Sequence, residues 1–532
     1  MFINYNKCGR KSDLTMKKFY ITTSIAYASK IPHVGNDYEV ILADAIARFK
    51  RLEGYDVYFQ TGTDEHGLKI ETESKKEGIT PKEHVDMIST KIKEVYKALD
   101  ISYDKFVRTT DEEHVKVVKN VFKKLYDQGD IFLGKYSGYY SVSEEAYIFD
   151  KDLIESGFGP NGDKLIWMEE ETYFLDLKKY QKRLIKHIED NPLFIQPESR
   201  RNEMLNFLKE PLRDLSVTRT TLDWGIETFD KNHVIYVWID ALTNYISGFG
   251  LDENFHSKKM SHYWPADIHL IGKDILRFHV IYWPVVLMAL GIELPKTIFG
   301  HPWILFDKVK MSKSVGNTVY TVDVLKHFKK DVLRYYVLHE IPYAQDGNFT
   351  YELLINVNNS DLANTLGNLV NRTIGMANKY RGGVIKKAFT KETYEFNLRE
   401  EVHSLYSKVK EKMDEYKVSD ALEEIMKVLR LGNKFIDVTE PWKLRTENPN
   451  ELDGVLYEII ETIRICAVLL RAFIPETSAQ IFEQINTNKT SFSDLSEFGL
   501  IGDNHSLNKA EVLFERFDLE KKMEEILGHE NK

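Results

Sequence analysis

The architecture of this chain follows from Phe19-Tyr20-Ile21-Thr22-Thr23, which a loop joins to Pro32-His33-Val34-Gly35-Asn36. The first run is apolar and predicts a buried strand, and the second stands where a helix begins. Free backbone N–H groups and the helix dipole attract anions at a helix start. We therefore interpret Pro32 to Asn36 as one half of a nucleotide site.

An alternation of strands and helices continues from this beginning. The pattern predicts a helix over 36–53, a strand over 56–60 and a polar segment at 61–67 that follows the strand. A strand, helix and strand in succession imply a parallel sheet, whose ligand lies above the carboxyl ends of the strands.

The alternation of strands and helices is interrupted once and then resumes. Residues 116–229 mix short strands with helices and are interpreted as an inserted domain. We predict strands over 233–238 and 268–272 and a helix over 275–290. Beyond residue 351 almost every segment has the helical period, so we expect a helical bundle.

A lysine-rich loop supplies the second half of the nucleotide site. Lys310-Met311-Ser312-Lys313-Ser314 carries two lysines and two hydroxyls and is followed by Gly316. Such a loop can clamp the phosphates of a nucleotide, although by itself it could also be a solvated basic loop. Together with the helix start at His33, it indicates a split ATP site.

Composition limits the class of protein. A chain of 532 residues predicts about three or four domains, and its hydrophobic content of 43% excludes general disorder. No apolar run is long enough to cross a bilayer, so no membrane association is expected. Cys8 and Cys466 are the only cysteines, which excludes a Cys-x-x-Cys zinc knuckle and fits a reducing compartment. A net charge of −10 argues against indiscriminate binding to nucleic acid, yet a local basic face can still hold a polyanion.

Two longer motifs lead to a family. They are Tyr236-Val237-Trp238-Ile239-Asp240-Ala241-Leu242-Thr243-Asn244-Tyr245 and Ile271-Gly272-Lys273-Asp274-Ile275-Leu276-Arg277-Phe278-His279. With His33-Val34-Gly35-Asn36 and the lysine-rich loop, they occur in the order found in that family. From about Lys17 to the end of the helical region, the chain resembles the methionyl-tRNA synthetases, which are class I aminoacyl-tRNA synthetases.

The resemblance implies an α/β fold, in which a Rossmann-type parallel-sheet catalytic domain is split by an inserted connective domain and followed by an α-helical anticodon-binding bundle. Residues 1–15 are expected to be a dispensable extension, although Lys7, Arg10 and Lys11 leave a weak transit peptide as the alternative. The expected division is a first catalytic half at 16–115, a connective insert at 116–229, a second catalytic half at 230–325, a stem-contact linker at 326–352 and the anticodon-binding domain at 353–532.

The implied reaction is the activation of an amino acid by ATP with Mg²⁺. Attack of a carboxylate on the α-phosphorus needs positioning and neutralisation of charge on phosphate oxygens, and it needs no side-chain nucleophile. His33, Asn36, Lys310 and Lys313 are the expected catalytic residues, with Lys313 as the main cation, although His33 taken alone could be only a helix-capping residue. Nucleotide contacts are also expected from Gly35, Lys273, Met311, Ser312 and Ser314, although Lys273 could be a surface lysine. Asn36 replaces the usual second histidine, and we favour a neutral hydrogen-bonding role for it.

A thioether substrate requires a soft, aromatic-lined pocket. The positions that match the family's methionine pocket are Ile25, Tyr27, Trp238, Ala241, Leu242, Tyr245, Ile275, His279 and Trp283. Ile275, His279 and Trp283 are spaced i, i+4 and i+8, which is also the spacing of an ordinary core stripe. Asp64 is the expected partner of the substrate ammonium, and its alternative role is to cap the next helix.

The helical region contains the expected anticodon contacts. Asn368 and Arg372 share a helix face and could read base edges, while Trp442 offers a plane for base stacking. The alternative for Trp442 is an indole buried at the start of a helix. Nearby Lys379, Arg381, Lys386 and Lys387 would meet the phosphate backbone or else form a solvated face.

The insert contains no cysteine, so the chain resembles the zinc-free branch of the family and no structural zinc is expected. The expected function is ATP-dependent charging of methionine tRNA with L-methionine for translation, by a cytoplasmic monomer. The competing hypotheses are another class I synthetase or related nucleotidyltransferase, and a catalytically inactive tRNA-binding protein. Retention of His33, Asp64, Lys310 and Lys313 argues against the inactive protein.

Overall fold

A computed structural model of the chain describes residues 16–143, 146–148, 150–220, 222–310 and 318–530. The strands in these ranges are β1 Lys18–Thr23, β2 Ala26–Tyr27, β3 Asp56–Asp64, β4 Lys105–Arg108, β5 Ile131–Ser141, β6 Ala146–Tyr147, β7 Ile166–Leu175, β8 Ile195–Gln196, β9 Leu215–Ser216, β10 Thr218–Arg219, β11 Ile226–Glu227, β12 Val234–Ile235, β13 Ile268–Gly272, β14 Ile298–His301, β15 Ile304–Phe306, β16 Val309–Lys310, β17 Gly347–Phe349, β18 Val384–Ile385 and β19 His505–Ser506.

The helices are described in the same ranges, and none of them is long and apolar enough to cross a membrane. They are α1 Val34–Leu52, α2 Leu68–Glu77, α3 Pro81–Ala98, α4 Glu112–Asp127, α5 Lys151–Ser156, α6 Lys178–Asp190, α7 Glu198–Phe207, α8 Val237–Ser247, α9 Lys258–Tyr263, α10 Trp283–Leu290, α11 Thr321–His327, α12 Lys330–His339, α13 Tyr351–Val357, α14 Asn368–Arg381, α15 Leu398–Asp414, α16 Val418–Thr439, α17 Pro441–Glu447, α18 Pro449–Leu470, α19 Pro475–Gln484 and α20 Leu519–Glu530.

A parallel sheet forms the centre of the first part of the chain. Seven strands of the described residues belong to it, in the order β2-β3-β1-β13-β14-β8, with β4 also paired to β3. Strand β1 lies between its two principal partners, so that Ile21 pairs with Phe59 on one side and Ile268 on the other. This arrangement confirms the parallel sheet expected from the alternating pattern.

Helix α1 joins the sheet to the helical region. It is buried along most of its length, contacts β1, β3 and β13 of the sheet, and also contacts α12 and α16. A helix buried between two layers cannot have one solvated face, which explains why its sequence is apolar on several sides.

The range expected to form an insert is only partly separate. Strands β5 and β7 form a long antiparallel pair, which β6 and β9 extend to a four-stranded sheet. Strand β8 comes from the same range but pairs with β14 of the parallel sheet. Residues 116–229 therefore contribute an edge strand, β8, to the parallel sheet. The proposed domain boundaries at 116 and 229 stay a prediction.

Two predicted elements differ from the structure. The strand predicted over 233–238 is limited to Val234–Ile235, because helix α8 already begins at Val237. A short apolar run does not distinguish a buried strand from the start of a buried helix. The helix predicted over 275–290 is a 3₁₀ turn, a π-helix over Phe278–Tyr282 and then α10. Pro284 has no N–H to donate to the preceding turn, which favours such a local change of helix type.

The bundle expected beyond residue 351 is confirmed. Helix α18 runs through its centre with nearly all its residues buried and contacts α14, α15, α16, α17 and α19. Within α18, Arg464 donates to the Glu461 carboxylate, with Nη2 2.7 Å from Oε2, and both side chains are fully buried. A small antiparallel pair, β18 and β19, closes one side of the bundle.

A buried ion pair connects the sheet and the bundle. Arg334 of α12 lies 2.8 Å from the Asp44 carboxylate of α1, both side chains are fully buried, and Arg334 Nε donates to the carbonyl of Phe473. Burial alone would raise the pKa of Asp44, but Arg48 and Arg334 lower it to about 2.

We predict that Arg334→Leu lowers the free energy of unfolding by about 3–5 kcal/mol at pH 7, because Asp44 then loses a buried cation. The stability contributed by the lowered pKa of Asp44 is present above about pH 4 and is lost as the pH falls toward 2 in the wild type. The deficit of the variant should therefore shrink in acid. Urea unfolding at several pH values measures this, with Lys82→Ala, which breaks an exposed ion pair, as the control. A deficit below about 1 kcal/mol at pH 7 would contradict the assignment.

Candidate active site

The carboxyl ends of the parallel strands bring the predicted residues to one edge of the sheet. Strand β1 ends at Thr23, β3 at Asp64, β13 at Gly272 and β14 at His301. Asp64, the proposed ammonium partner, is the last residue of β3, and the segments after β1 and β13 carry the helix start and Lys273. This edge is where ligands bind in open α/β sheets.

The start of α1 is closed by its own side chains. His33 is the N-cap residue, and its Nδ1 accepts from Gly35 N at 3.1 Å while Asn36 Oδ1 accepts from His33 N at 3.3 Å. A Cβ at position 35 would lie 3.0 Å from the His33 ring, so glycine permits this close approach. The Asn36 side chain is exposed, and its amide nitrogen is a donor that can bind a phosphate oxygen.

The lysine-rich loop follows a tight hairpin beside this helix start. Strands β15 and β16 pair across Asp307 and Lys308, which both have positive φ as a two-residue type I′ turn requires. The Ile304 carbonyl lies 3.6 Å from the Cβ position of Gly35, and Val34 N donates to the Val319 carbonyl at 3.0 Å. The chain thus passes close to the start of α1 both before and after the loop. The predicted residues Met311, Ser312, Lys313 and Ser314 lie outside the described residues, and Lys310 is described by its backbone alone.

Lys273 occupies a defined place after β13. Its ammonium lies 2.6 and 2.7 Å from the two carboxylate oxygens of Asp346 and 4.1 Å from the centre of the Trp303 ring. Trp303 N also donates to Asp346, at 3.0 Å. Lys273 is therefore held at the sheet edge by a carboxylate, which differs from the alternative of a solvated surface lysine.

His279 forms the polar centre of an aromatic cluster, at the positions expected to line a methionine pocket. Its Nδ1 donates to the Ile275 carbonyl at 3.0 Å, and its Nε2 accepts from the Tyr245 hydroxyl at 2.7 Å. Burial lowers the pKa of His279 to about 4, so the ring is neutral at physiological pH. The neighbouring Trp238 stacks on Phe278 with 3.5 Å between ring centres. The neutral rings of this cluster suit contact with an uncharged side chain.

Trp283 belongs to the same aromatic cluster and packs against Tyr245. Its Nε1 donates to His269 Nε2 at 3.3 Å, and the other ring nitrogen of His269 lies 2.7 Å from Thr22 Oγ1. Burial lowers the pKa of His269 well below its ordinary value. Ala241 and Leu242 are buried on α8, the helix that also carries Trp238 and Tyr245. Sequence reasoning missed His269, which lies inside an otherwise apolar strand.

Ile25, Tyr27 and Asp64 lie next to one another. Tyr27 and Asp64 are register partners of β2 and β3, and the Asp64 carbonyl accepts from Ala28 N at 2.8 Å. Gly62 precedes Asp64 by two residues in β3. A Cβ built on Gly62 would lie 3.0 Å from the Ile25 methyl carbon Cγ2, so Ile25 lies beside this end of the strand. Asp64 is 7% exposed and ends a strand, and the next helix is capped at Gly67 without a side-chain bond, so Asp64 is not its N-cap.

A second buried acid was not found from the sequence. Glu39 of α1 accepts from Ser24 N and Ser24 Oγ, both at 2.6 Å, and its other oxygen lies 2.9 Å from His301 Nε2. Burial alone would lower the pKa of His301, but the hydrogen bond to Glu39 raises it above the ordinary value. The signal that sequence reasoning could have used is the position of Glu39, an acidic residue on the buried side of α1.

The predicted anticodon residues lie on neighbouring helices of the bundle. Arg372 of α14 pairs with Asp437 of α16 at 3.0 Å, and Asn368 Nδ2 donates to Asn433 of α16 at 3.1 Å. Trp442 follows in α17 and is 45% exposed, so the alternative of a buried indole is wrong. Arg381 pairs with Asp453, and Lys387 Nζ donates to the Gly499 carbonyl at 2.7 Å, so part of the nearby basic set makes internal contacts.

Known families match most of the chain. The family described as tRNA synthetases class I (M) matches residues 19–160 and 151–374, and the family described as the anticodon binding domain of methionyl tRNA ligase matches residues 386–526. The methionine–tRNA ligase of Clostridium tetani is 48% identical in an alignment of 517 positions that covers 96% of this chain and 80% of that protein. That of Bacillus subtilis is 43% identical in an alignment of 532 positions that covers 96% of this chain and 79% of that protein.

Solved structures agree with these matches. Methionyl-tRNA synthetase of Mycobacterium tuberculosis in complex with methionyl-adenylate superposes with a TM-score of 0.89 at 39% identity, covering 94% of this chain and 100% of that chain. The free form of that enzyme gives a TM-score of 0.82 at 36% identity, covering 94% and 99%. The chain belongs to the methionyl-tRNA ligase family of the class I tRNA synthetases.

Proposed function

We propose that the chain activates L-methionine with ATP, which enters as its Mg²⁺ complex, and transfers methionine to the terminal adenosine of methionine tRNA in translation. One observation carries the proposal: the capped start of helix α1, with the exposed Asn36 amide, and a neutral aromatic cluster lie at the same edge of the parallel sheet. The relatives with this fold are methionine–tRNA ligases, and one solved relative is a complex with methionyl-adenylate.

In the first step, a carboxylate oxygen of methionine attacks the α-phosphorus and the bond to pyrophosphate breaks. Negative charge then develops on the phosphate oxygens. Hydrogen-bond donors and cations stabilise this charge. His33 and the Asn36 amide would bind these oxygens, and the dipole of α1 would favour their negative charge. Lys310 and Lys313 would neutralise the pyrophosphate, with Met311, Ser312 and Ser314 beside them.

Recognition of methionine divides between charge and shape. The Asp64 carboxylate would pair with the substrate ammonium, while the neutral ring of His279 and the aromatic rings around it would surround the thioether. A missing methylene in an apolar pocket costs only about 1–3 kcal/mol, so homocysteine is the difficult competitor.

In the second step, a hydroxyl of the terminal adenosine attacks the carbonyl carbon of the adenylate and AMP leaves. The tRNA would be selected at its anticodon by Asn368, Arg372 and Trp442. Exposure of the Trp442 indole and the position of the Arg372 guanidinium on an adjacent helix support this role. We further propose that the enzyme is a cytoplasmic monomer.

The direct test is ATP–pyrophosphate exchange with each proteinogenic amino acid, without tRNA. Exchange that depends on methionine and on no other amino acid at equal concentration supports the proposal. No exchange with any amino acid, together with retained tRNA binding, would instead identify an inactive tRNA-binding protein.

Replacing the principal cation of the loop tests the phosphate role. Lys313→Ala should raise the adenylation barrier by about 2–4 kcal/mol and leave methionine affinity nearly unchanged, because the lysine acts on charge that develops in the transition state. Single-turnover adenylation measures the effect. Lys308→Ala is the matched control, since Lys308 is exposed in the preceding turn. An unchanged rate in Lys313→Ala would sink this assignment.

Replacing anticodon residues separates tRNA recognition from adenylation. Trp442→Ala removes base stacking worth about 1–3 kcal/mol, and Arg372→Ala removes a charge-assisted base contact. Aminoacylation should therefore fall severely, while ATP–pyrophosphate exchange stays within about a few-fold of the wild type. Trp442→Phe should retain most charging, and Lys443→Ala on the same helix serves as a control. Retention of full charging in both alanine variants would mean that the anticodon is read elsewhere.

The purified protein is predicted to hold no stoichiometric structural zinc. Cys466 is buried in the bundle core, where burial raises the pKa of its thiol, and a tetrahedral thiolate site needs several such ligands. His339, Glu340 and Asp361 come within 4.8 Å of one another among the described residues, but His339 is already paired with Glu340 at 2.7 Å. Elemental analysis that finds about one zinc per chain, lost together with activity on chelation, would overturn this prediction.

A further inference from the structure

The residues on both sides of Asp64 in the chain are held by buried hydrogen bonds. Glu65 is fully buried, and its carboxylate accepts from Arg108 Nε at 2.6 Å and Arg108 Nη2 at 2.9 Å. Thr63 Oγ1 donates to the same carboxylate at 2.6 Å, and Glu65 N donates to Thr109 Oγ1 at 2.9 Å. Glu65 is thereby fixed to β4 and the segment after it.

His66 is fixed to a different element. Its Nδ1 donates to Asp240 Oδ2 at 2.7 Å, and the other oxygen of Asp240 accepts from His114 Nε2 at 2.7 Å. The remaining nitrogen of His114 lies 2.7 Å from Ser247 Oγ, at the far end of α8. One buried carboxylate thus accepts from two histidines that come from different parts of the chain.

Asp240 is suited to hold these histidines as an anion. It is fully buried in the first turn of α8, where the helix dipole favours negative charge. Burial would raise the pKa of Asp240, but His66 and His114 together lower it below its ordinary value. A buried carboxylate that accepts two short hydrogen bonds is costly to displace.

The contact connects two parts of the proposed methionine site. Helix α8 carries Asp240 between Trp238 and Ala241 of the aromatic pocket. The segment that carries His66 also carries Asp64, the proposed partner of the ammonium. The contact between His66 and Asp240 therefore joins the ammonium side of the site directly to the thioether side.

We propose that His66 is a positioning residue for methionine, which holds Asp64 in register with the aromatic pocket through its hydrogen bond to Asp240. The inference rests on the proposed function, since it assigns the substrate ammonium to Asp64. Misplacement of a binding group by about 1 Å can cost a large factor in affinity or rate. If His66 has this role, its removal should weaken the binding only of ligands that carry the ammonium group. A general loss of order in the site would instead weaken the binding of all ligands.

Two fragments of methionine test this on the full-length chain. Methioninol keeps the ammonium and the thioether but lacks the carboxylate, whereas 4-(methylthio)butanoate keeps the carboxylate and the thioether but lacks the ammonium. In calorimetric titrations, His66→Ala should raise the Kd of methioninol at least about tenfold and leave that of 4-(methylthio)butanoate within about twofold. His66→Asn, which can still donate to Asp240, should restore methioninol binding to within about threefold of the wild type.

His114→Ala is the matched control, because it removes the other donor to Asp240 without touching the segment of Asp64. It should lower the melting temperature and leave the affinity for both fragments unchanged within about twofold. The inference would be overturned if His66→Ala weakened the binding of both fragments equally, if it weakened neither, or if His66→Asn failed to restore methioninol binding.

Asp64→Asn tests the proposed ammonium partner separately. If this variant binds methioninol normally, Asp64 is not the ammonium partner. If this variant loses methioninol binding while His66→Ala does not, only the role of His66 is refuted.

Discussion

The parallel pairing of β1 with β3 and β13 is the constraint on which the rest of the molecule depends. Because Ile21 is in register with both Phe59 and Ile268, the three strands end at one edge of the sheet. The segment that follows each end then has to turn above that edge. The helix start at His33, Asp64 and Lys273 all lie at that edge for this reason, although long stretches of chain separate them.

The site edge combines two electrostatic environments. At the start of α1, the helix dipole and the exposed Asn36 amide favour anions, and the chain on both sides of the lysine-rich loop passes close by. In the aromatic pocket, burial keeps His279 and His269 neutral, and each ring has its tautomer set by a neighbouring carbonyl or aromatic N–H. Such a division suits a substrate with a charged end and an uncharged thioether.

Contacts around α1 also place the bundle relative to the sheet. Asp44 pairs with the buried Arg334, and Lys50 bridges Glu53 and Asp414 of α15 at 2.8 and 2.6 Å. Asp44 and Arg334 are both fully buried, and breaking a buried ion pair leaves a charge without compensation, so this contact resists separation of the two parts. The bundle face with Arg372 and Trp442 is thus held in a defined orientation to the catalytic edge.

The sequence alone determined the parallel sheet and the helical bundle and supplied the two motifs of the proposed nucleotide site, because strand and helix periods and the short runs around His33 and Lys310 are local properties of the chain. It also predicted the aromatic pocket through resemblance to a family. Only the tertiary structure decided that α8 begins within the last two residues of a predicted strand, that β8 joins the parallel sheet, and that Trp442 faces solvent. The partners of Glu39, His66 and Asp240 likewise come from distant segments, and no local pattern encodes which buried acid meets which histidine.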